Sequence, residues 1–235
     1  MIGRRHLILA LSIAAAALPL CGQDLTVVSK TSIGDRTGTS TQYMTSTRSR
    51  STDGQTDSIV EFSTGRFLFI DHNTKEYWES STQEMAAYFD KAEQGMKGNP
   101  MFESMFGGPD DIVVEKGKRS RKIAGYECDE YTMKMGSSLE FDLCAARGLD
   151  VPARYFEGRK ASFAAMGPMG KRYAKMFEEM KKIKGYPLSV EIDVNMGTMK
   201  QHTLSEATEV RKGPIPASTF EIPAGYKKKP SPFAK

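Results

Sequence analysis

The chain is poor in the residues that build most catalytic and metal centres. Histidine occurs three times in 235 residues, and one of the three, His6, falls in a stretch that reads as a leader. The other two, His72 in an expected turn and His202 in an expected strand, lack the spacing of a metal pair or a nucleophile–base pair. There is no Gly-x-Ser-x-Gly elbow, no His-Glu-x-x-His, and no phosphate or dinucleotide glycine fingerprint. Asp110-Asp111 and Glu178-Glu179 are adjacent acids read as solvated. Glycosidase chemistry needs two carboxylates facing across a cleft, which adjacency does not supply. These absences argue against an enzyme, a metal site and a cofactor.

Long apolar runs are also scarce. Leu7–Leu20 follows Arg4-Arg5-His6 and is too short for a comfortable membrane span. Residues 1–22 therefore read as a secretory signal peptide, cut between Gly22 and Gln23. Lipid anchoring at Cys21 is the less favoured alternative, because Leu18-Pro19-Leu20 puts leucine where a small residue is wanted. The expectation is a periplasmic or secreted protein whose mature chain has no transmembrane segment. Removing Arg4 and Arg5 lowers the net charge of +4 by two, which leaves no electrostatic case for nucleic acid. Of three cysteines, Cys128 and Cys144 then remain, and an even pair in an exported chain suggests a disulfide.

What the chain does contain is strand. Leu25–Ile33, Thr39–Arg50, Thr56–Phe62, Arg66–Asp71 and Lys75–Glu79 are β-branched runs punctuated by Gly, Asp and Asn, as in an antiparallel meander. Ile112–Val114 and Arg119–Ile123 read as a hairpin around Lys116-Gly117-Lys118, and Gly125–Met135 with Ser138–Ala145 as another. Leu188, Val190, Ile192, Val194 and Met196 alternate with polar residues, the cleanest half-buried strand; Met199–Val210 follows. Pro214-Ile215-Pro216 closes the sheet, Phe220–Tyr226 forms a terminal apolar clasp, and Lys227-Lys228-Lys229 begins a solvated basic tail over 227–235.

For the cysteine hairpin, a three-residue loop Met135-Gly136-Ser137 would set Cys128 opposite Cys144 and gather Tyr131, Met133, Leu139, Phe141 and Leu143 on one face. It would also place the cysteines on a solvated face and oppose Glu130 to Asp142, a like-charge cost. The pair is read as structural, since it is not Cys-x-x-Cys.

Two helices stand out. Ser81-Thr82-Gln83-Glu84 has capping-box spacing ahead of Met85, Tyr88, Phe89, Ala92 and Met96. From Pro168 to Gly185, Met169, Tyr173, Met176, Phe177, Met180 and Ile183 form one helical stripe, after a possible short helical piece in Arg154–Met166. Between the first helix and Ile112, Met101, Phe102, Met105 and Phe106 sit among glycines and prolines, either tucked on the core or over a cavity. Methionine is abundant at 14 residues. Most lie on amphipathic stripes, which favours packing over Cu(I) binding and suits surfaces that accommodate varied apolar ligands.

Three segments, Lys122-Ile123-Ala124-Gly125-Tyr126-Glu127-Cys128-Asp129-Glu130-Tyr131, Gly185-Tyr186-Pro187-Leu188 and Phe220-Glu221-Ile222-Pro223-Ala224-Gly225-Tyr226, carry a resemblance. In this order they resemble the bacterial envelope family called domain of unknown function 4412, similar in fold to the lipoprotein carriers LolA and LolB. The resemblance spans about residues 25–226. It implies a mainly β, α+β fold: an unclosed antiparallel β-barrel wrapped around amphipathic helices, forming one domain over residues 23–226. Carriers of that fold hold acyl chains between sheet and helices; no catalytic residues come with the family. The lipoprotein carriers do not require the cysteine pair.

The expected function is a non-catalytic module binding a lipid or other hydrophobic small molecule. Met169, Tyr173, Met176, Phe177, Met180, Met101, Phe102, Met105 and Phe106 would line its cavity. The alternative is an envelope scaffold with a packed interior that binds a protein partner and no small ligand.

Overall fold

The structure, a computed structural model, describes residues 24–96, 112–135, 139–152, 155, 157, 160, 175–196 and 199–234. Twelve strands make one sheet in the order β12-β6-β5-β4-β3-β2-β1-β11-β10-β9-β8-β7, which is not closed into a barrel. It consists of two meanders. The first comprises β1 (Leu25–Ile33), β2 (Arg36–Met44), β3 (Arg48–Thr52), β4 (Thr56–Glu61), β5 (Arg66–Asp71) and β6 (Glu76–Ser81). The second comprises β7 (Ile112–Ile123), β8 (Tyr126–Met135), β9 (Leu139–Ala146), β10 (Tyr186–Met196) and β11 (Met199–Lys212). β1 joins them by pairing with β2 on one side and β11 on the other. All pairs are antiparallel except that of β12 (Lys227–Lys228), which adds parallel to β6.

The sheet curls. β7 and β11 are separated by three strands, about 19 Å in a flat sheet. Arg121 of β7 nevertheless reaches Glu206 of β11 at 3.0 Å. Register breaks between Val28 and Ser29, Pro187 and Ser189, and Lys116 and Ser120 supply the bends.

The helix α1 (Thr82–Met96) begins on the expected capping box. The Glu84 amide donates to Ser81 Oγ at 3.1 Å, and the Ser81 amide donates to Glu84 Oε2 at 2.9 Å. Of the second expected helix, residues 175–180 are helical. The amides of Lys181, Lys182 and Ile183 then bond to carbonyls three residues back, which tightens the end. Gly185, at φ +100°, passes so close to Ala146 that a Cβ would lie 1.9 Å from its carbonyl oxygen.

Four local expectations need correction. Thr39–Arg50 is two strands, because the Thr45 hydroxyl accepts the amides of Thr47 and Arg48 and turns the chain there. The hairpin around Gly117 is instead a single bent strand, β7. Gly117 serves a close approach, since a Cβ there would lie 3.1 Å from Glu130 Cβ.

The β8–β9 register is shifted by two: Cys128 pairs with Ala146, Glu130 with Cys144, and Met135 with Leu139, leaving residues 136–138 between the strands. This removes the Glu130–Asp142 clash and creates complementary pairs. Thr132 Oγ1 donates to Asp142 at 2.6 Å, and Lys134 lies 3.6 Å from Glu140. The disulfide Cys128–Cys144 forms all the same, with Cα atoms 5.4 Å apart. It is buried, at 0% and 1% exposure, within the main core with Leu25, Val27, Met44 and Leu188. Finally, the basic tail is anchored at its start. Lys227 and Lys228 pair with β6, and Lys229 donates its amide to the Tyr77 carbonyl at 2.7 Å.

Candidate functional site

The ladders sort the side chains onto two faces. On the first face, one row runs Phe67, Val60, Ser49, Met44 and Leu25, and the next runs Trp78, Phe69, Ser58, Ser51, Gln42 and Val27. In the second meander the same face carries Val190, Leu143, Tyr131, Phe141 and Met133. A small core of Tyr131, Leu143, Ala145 and Ile183 lies here, with Phe141, Val190 and Met180 packed on it. The segment 175–183, helical to residue 180, thus rests on the sheet through Met180 and Ile183. Phe177 and Ile183 are buried, whereas Met176 and Met180 are half-buried.

Of the expected cavity residues, the structure describes Met176, Phe177 and Met180. Met169, Tyr173, Met101, Phe102, Met105 and Phe106 lie outside the described residues.

Further along the first face the row from Trp78 to Gln42 changes character. Trp78 stacks on Phe69 at 5.3 Å between centroids and 18° between planes, and touches Phe67 at 5.5 Å. Ser58 and Ser51 follow, small and not fully covered. Gln42 closes the row, donating to the Tyr155 hydroxyl at 2.8 Å and accepting from the Tyr186 hydroxyl at 2.6 Å. At the other end α1 brings Tyr88 and Phe89, and the C-terminal Phe233 inserts among the rings. Its centroid is 5.5 Å from Trp78, 5.2 Å from Tyr88 and 5.9 Å from Phe89. The alternation of Phe67 and Phe69 was a signal for this aromatic wall; nothing marked Phe233.

The second face is polar over most of the second meander, with the buried Cys128–Cys144 disulfide and Ala146 as exceptions, and clasped in the first. Phe220 packs with Ile59, Leu68 and Ile70, joined by Ile215, Ile222 and Tyr226, as the expected clasp. Beneath it lies a buried polar network. The Asp57 carboxylate, with no exposed side-chain surface, bonds Arg50 at 2.7 Å and His72 Nε2 at 2.8 Å. His72 Nδ1 meets the Tyr226 hydroxyl at 2.7 Å, and Arg50 Nη1 donates to the Thr219 carbonyl at 2.5 Å. Asp57 Oδ1 and Arg50 Nε have no partner among the described residues. Two of its links, His72 to Tyr226 and Arg50 to the Thr219 carbonyl, tie the clasp to the sheet.

Cross-strand register also brings together Glu191, Asp193 and His202, the one set among the described residues whose ligand atoms could converge on a metal ion. His202 Nδ1 lies 3.0 Å from Asp193, which raises its pKa above the ordinary histidine value. The three are surface groups, about half exposed. Sequence spacing missed them because His202 faces Asp193 only through the β10–β11 pairing. Asp129 is held down to a pKa of about 2, first by hydrogen bonds from Arg147 and then from Lys116.

The family described as a domain of unknown function, DUF4412, matches residues 39–226. No curated protein matches the sequence significantly. Among solved structures, PNGF-II is similar at 9% identity and a TM-score of 0.43 over 89% of this chain, which spans 31% of PNGF-II. An uncharacterized conserved protein from Thermus thermophilus is similar at 6% identity and a TM-score of 0.49, over 89% of this chain and 91% of that one. The LolA superfamily protein NE2245 from Nitrosomonas europaea is similar at 7% identity and a TM-score of 0.32, over 87% and 91%. At these scores the likenesses carry no functional weight.

Proposed function

The chain belongs to the DUF4412 family, and on that premise we propose that it is an exported, non-catalytic module that holds a lipid or other apolar ligand between its curled sheet and its helices. The observation that carries the reading is the first face itself. A curled sheet surface bearing Val190, Leu143 and Tyr131 is overlaid by a helix whose half-buried contact is Met180, and Met176 of the same helix is also half-buried. Methionine side chains have three rotatable bonds and a polarizable sulfur, so they repack around guests of different shape. The buried disulfide fits an oxidising compartment, in keeping with a periplasmic or secreted location.

One observation favours the alternative of a packed envelope scaffold: Phe177 and Ile183 are each only 8% exposed, as in an ordinary core. The two readings separate in a paired experiment on Met176→Ala and Met180→Ala. In a packed core each truncation costs about 2–5 kcal/mol. In a ligand-holding site the stability cost is smaller and displacement of a fluorescent fatty acid weakens instead. Large destabilisation, with no fatty-acid binding by the unaltered protein at micromolar concentration, would leave the scaffold reading standing.

A further inference from the structure

The C-terminal strap has two halves held in different ways. Through Lys229 it is tied to the sheet: Tyr226 bonds His72, Lys227 and Lys228 extend β6, and Lys229 pairs with Glu76 at 2.9 Å. Beyond Lys229 its hydrogen bonds among the described residues are internal. The Phe233 amide donates to Ser231 Oγ at 3.1 Å, and the Ala234 amide to the Ser231 carbonyl at 3.1 Å. The strap crosses the β6 edge, so its clasp lies on the second face while the Phe233 ring lies on the first, against Trp78, Tyr88 and Phe89.

That ring occupies an incomplete site. Trp78 stacks its face on Phe69 and meets Phe233 edge-on, at 74°; Tyr88 meets Phe233 edge-on too, at 77°. Such edge contacts are favourable but individually weak. Phe233 remains half-buried between exposed Pro232 and Ala234, and Tyr88 is 38% exposed, so the niche opens to solvent. From Trp78 the row leads over Phe69, Ser58 and Ser51 to Gln42. The two serines leave the face low between Phe69 and Gln42, three strand steps or about 14 Å. The whole row, about 19 Å over four steps, is close to the length of an extended long-chain fatty acyl group.

We propose that the niche of Phe69, Trp78, Tyr88 and Phe89 receives one end of an unbranched acyl chain, and that Phe233 is its intramolecular occupant, displaced when the chain binds. The inference rests on the carrier reading above and adds the place and the gate. A tethered occupant acts as a competing state, so it lowers the apparent affinity by the fraction of molecules left open. Nine-tenths occupancy by Phe233 corresponds to a roughly tenfold loss.

Trp78 is the chain's single tryptophan and reports the niche directly. The experiment titrates a dibrominated stearic acid, whose bromines quench indole, into the unaltered protein, Phe233→Ala, Ser231→Ala and a chain ending at Lys229. Displacement of a fluorescent fatty acid gives affinity independently. The expected result is Trp78 quenching in all four proteins. Affinity should rise about tenfold for Phe233→Ala and the shortened chain, equivalent to about 1.4 kcal/mol. Ser231→Ala, which loosens the turn without touching a ring, should give a smaller rise. Equal affinity in all four would overturn the role of Phe233. Displacement without Trp78 quenching would overturn the niche as the site; in both cases the carrier reading survives. No binding by any of the four would remove the carrier reading and this inference with it.

Discussion

Replacing Asp57 with alanine tests how the clasp is held. The carboxylate is fully buried and faces Arg50 at 2.7 Å and His72 at 2.8 Å. Its removal leaves the Arg50 guanidinium, 19% exposed, without a counter-charge, while His72, 23% exposed, loses one of its two partners. Breaking a buried pair by removing one partner costs about 3–5 kcal/mol. Two features place this site at the low end. Both partners keep some solvent, and among the described residues the intact network leaves Asp57 Oδ1 and Arg50 Nε unsatisfied. The expected loss is therefore about 3 kcal/mol. For a chain of this size that is roughly 6–12 °C in Tm. Urea unfolding gives the free energy, and limited trypsin digestion should show the segment after Lys212 released first, since Arg50 and His72 both hold it. The double substitution Arg50→Met with Asp57→Leu should recover most of the loss, because it removes both charges together. A loss below about 1 kcal/mol for Asp57→Ala, or a double variant no better than the single, would refute the reasoning.

Ala124 sits at φ +47° and Gly125 at φ +87° in the two-residue turn between β7 and β8, a geometry that favours Asn-Gly. Ala124→Asn should raise stability by about 0.5–1 kcal/mol in urea unfolding. Peptide mapping without reductant should recover Cys128 linked to Cys144, and replacing both by serine should cost about 3 kcal/mol on the loop-entropy account, with ligand binding retained. Asp129 is held at a pKa of about 2 by Arg147 and Lys116, below the ordinary aspartate value of 3.8. Its contribution to stability is therefore complete above about pH 4 and lost as pH falls toward 2; Asp129→Asn should flatten that part of the stability profile.

The elements that could be read from sequence were those where local chemistry and burial agree. Leu25–Ile33 and Arg66–Asp71 were legible to the residue, and the Ser81–Glu84 box marked the start of α1, because alternation and capping are local signals. The β8–β9 register was not. A shift of two leaves every side chain on its face, so the hydrophobic pattern is blind to it. The decision falls to Thr132–Asp142 and Lys134–Glu140, pairs that become visible once the ladder is known. Gly117 misled because glycine signals both a turn and a close approach, and here Glu130 packs over it. The amphipathic stripe of Met176, Phe177, Met180 and Ile183 was legible as a sheet-facing surface. Phe233 was not, since a lone aromatic in a Pro- and Lys-rich end carries no periodicity, and its partners come from β6 and α1.

The most direct test of the central claim is mass spectrometry of the protein purified from its native cells without detergent, first under native conditions and then after organic extraction. The account predicts an adduct of lipid mass on the folded protein that disappears on extraction and is recovered as acyl-chain-bearing molecules, in an amount comparable to the protein. A native mass equal to the polypeptide alone, with no lipid in the extract above a control protein handled in parallel, would contradict it.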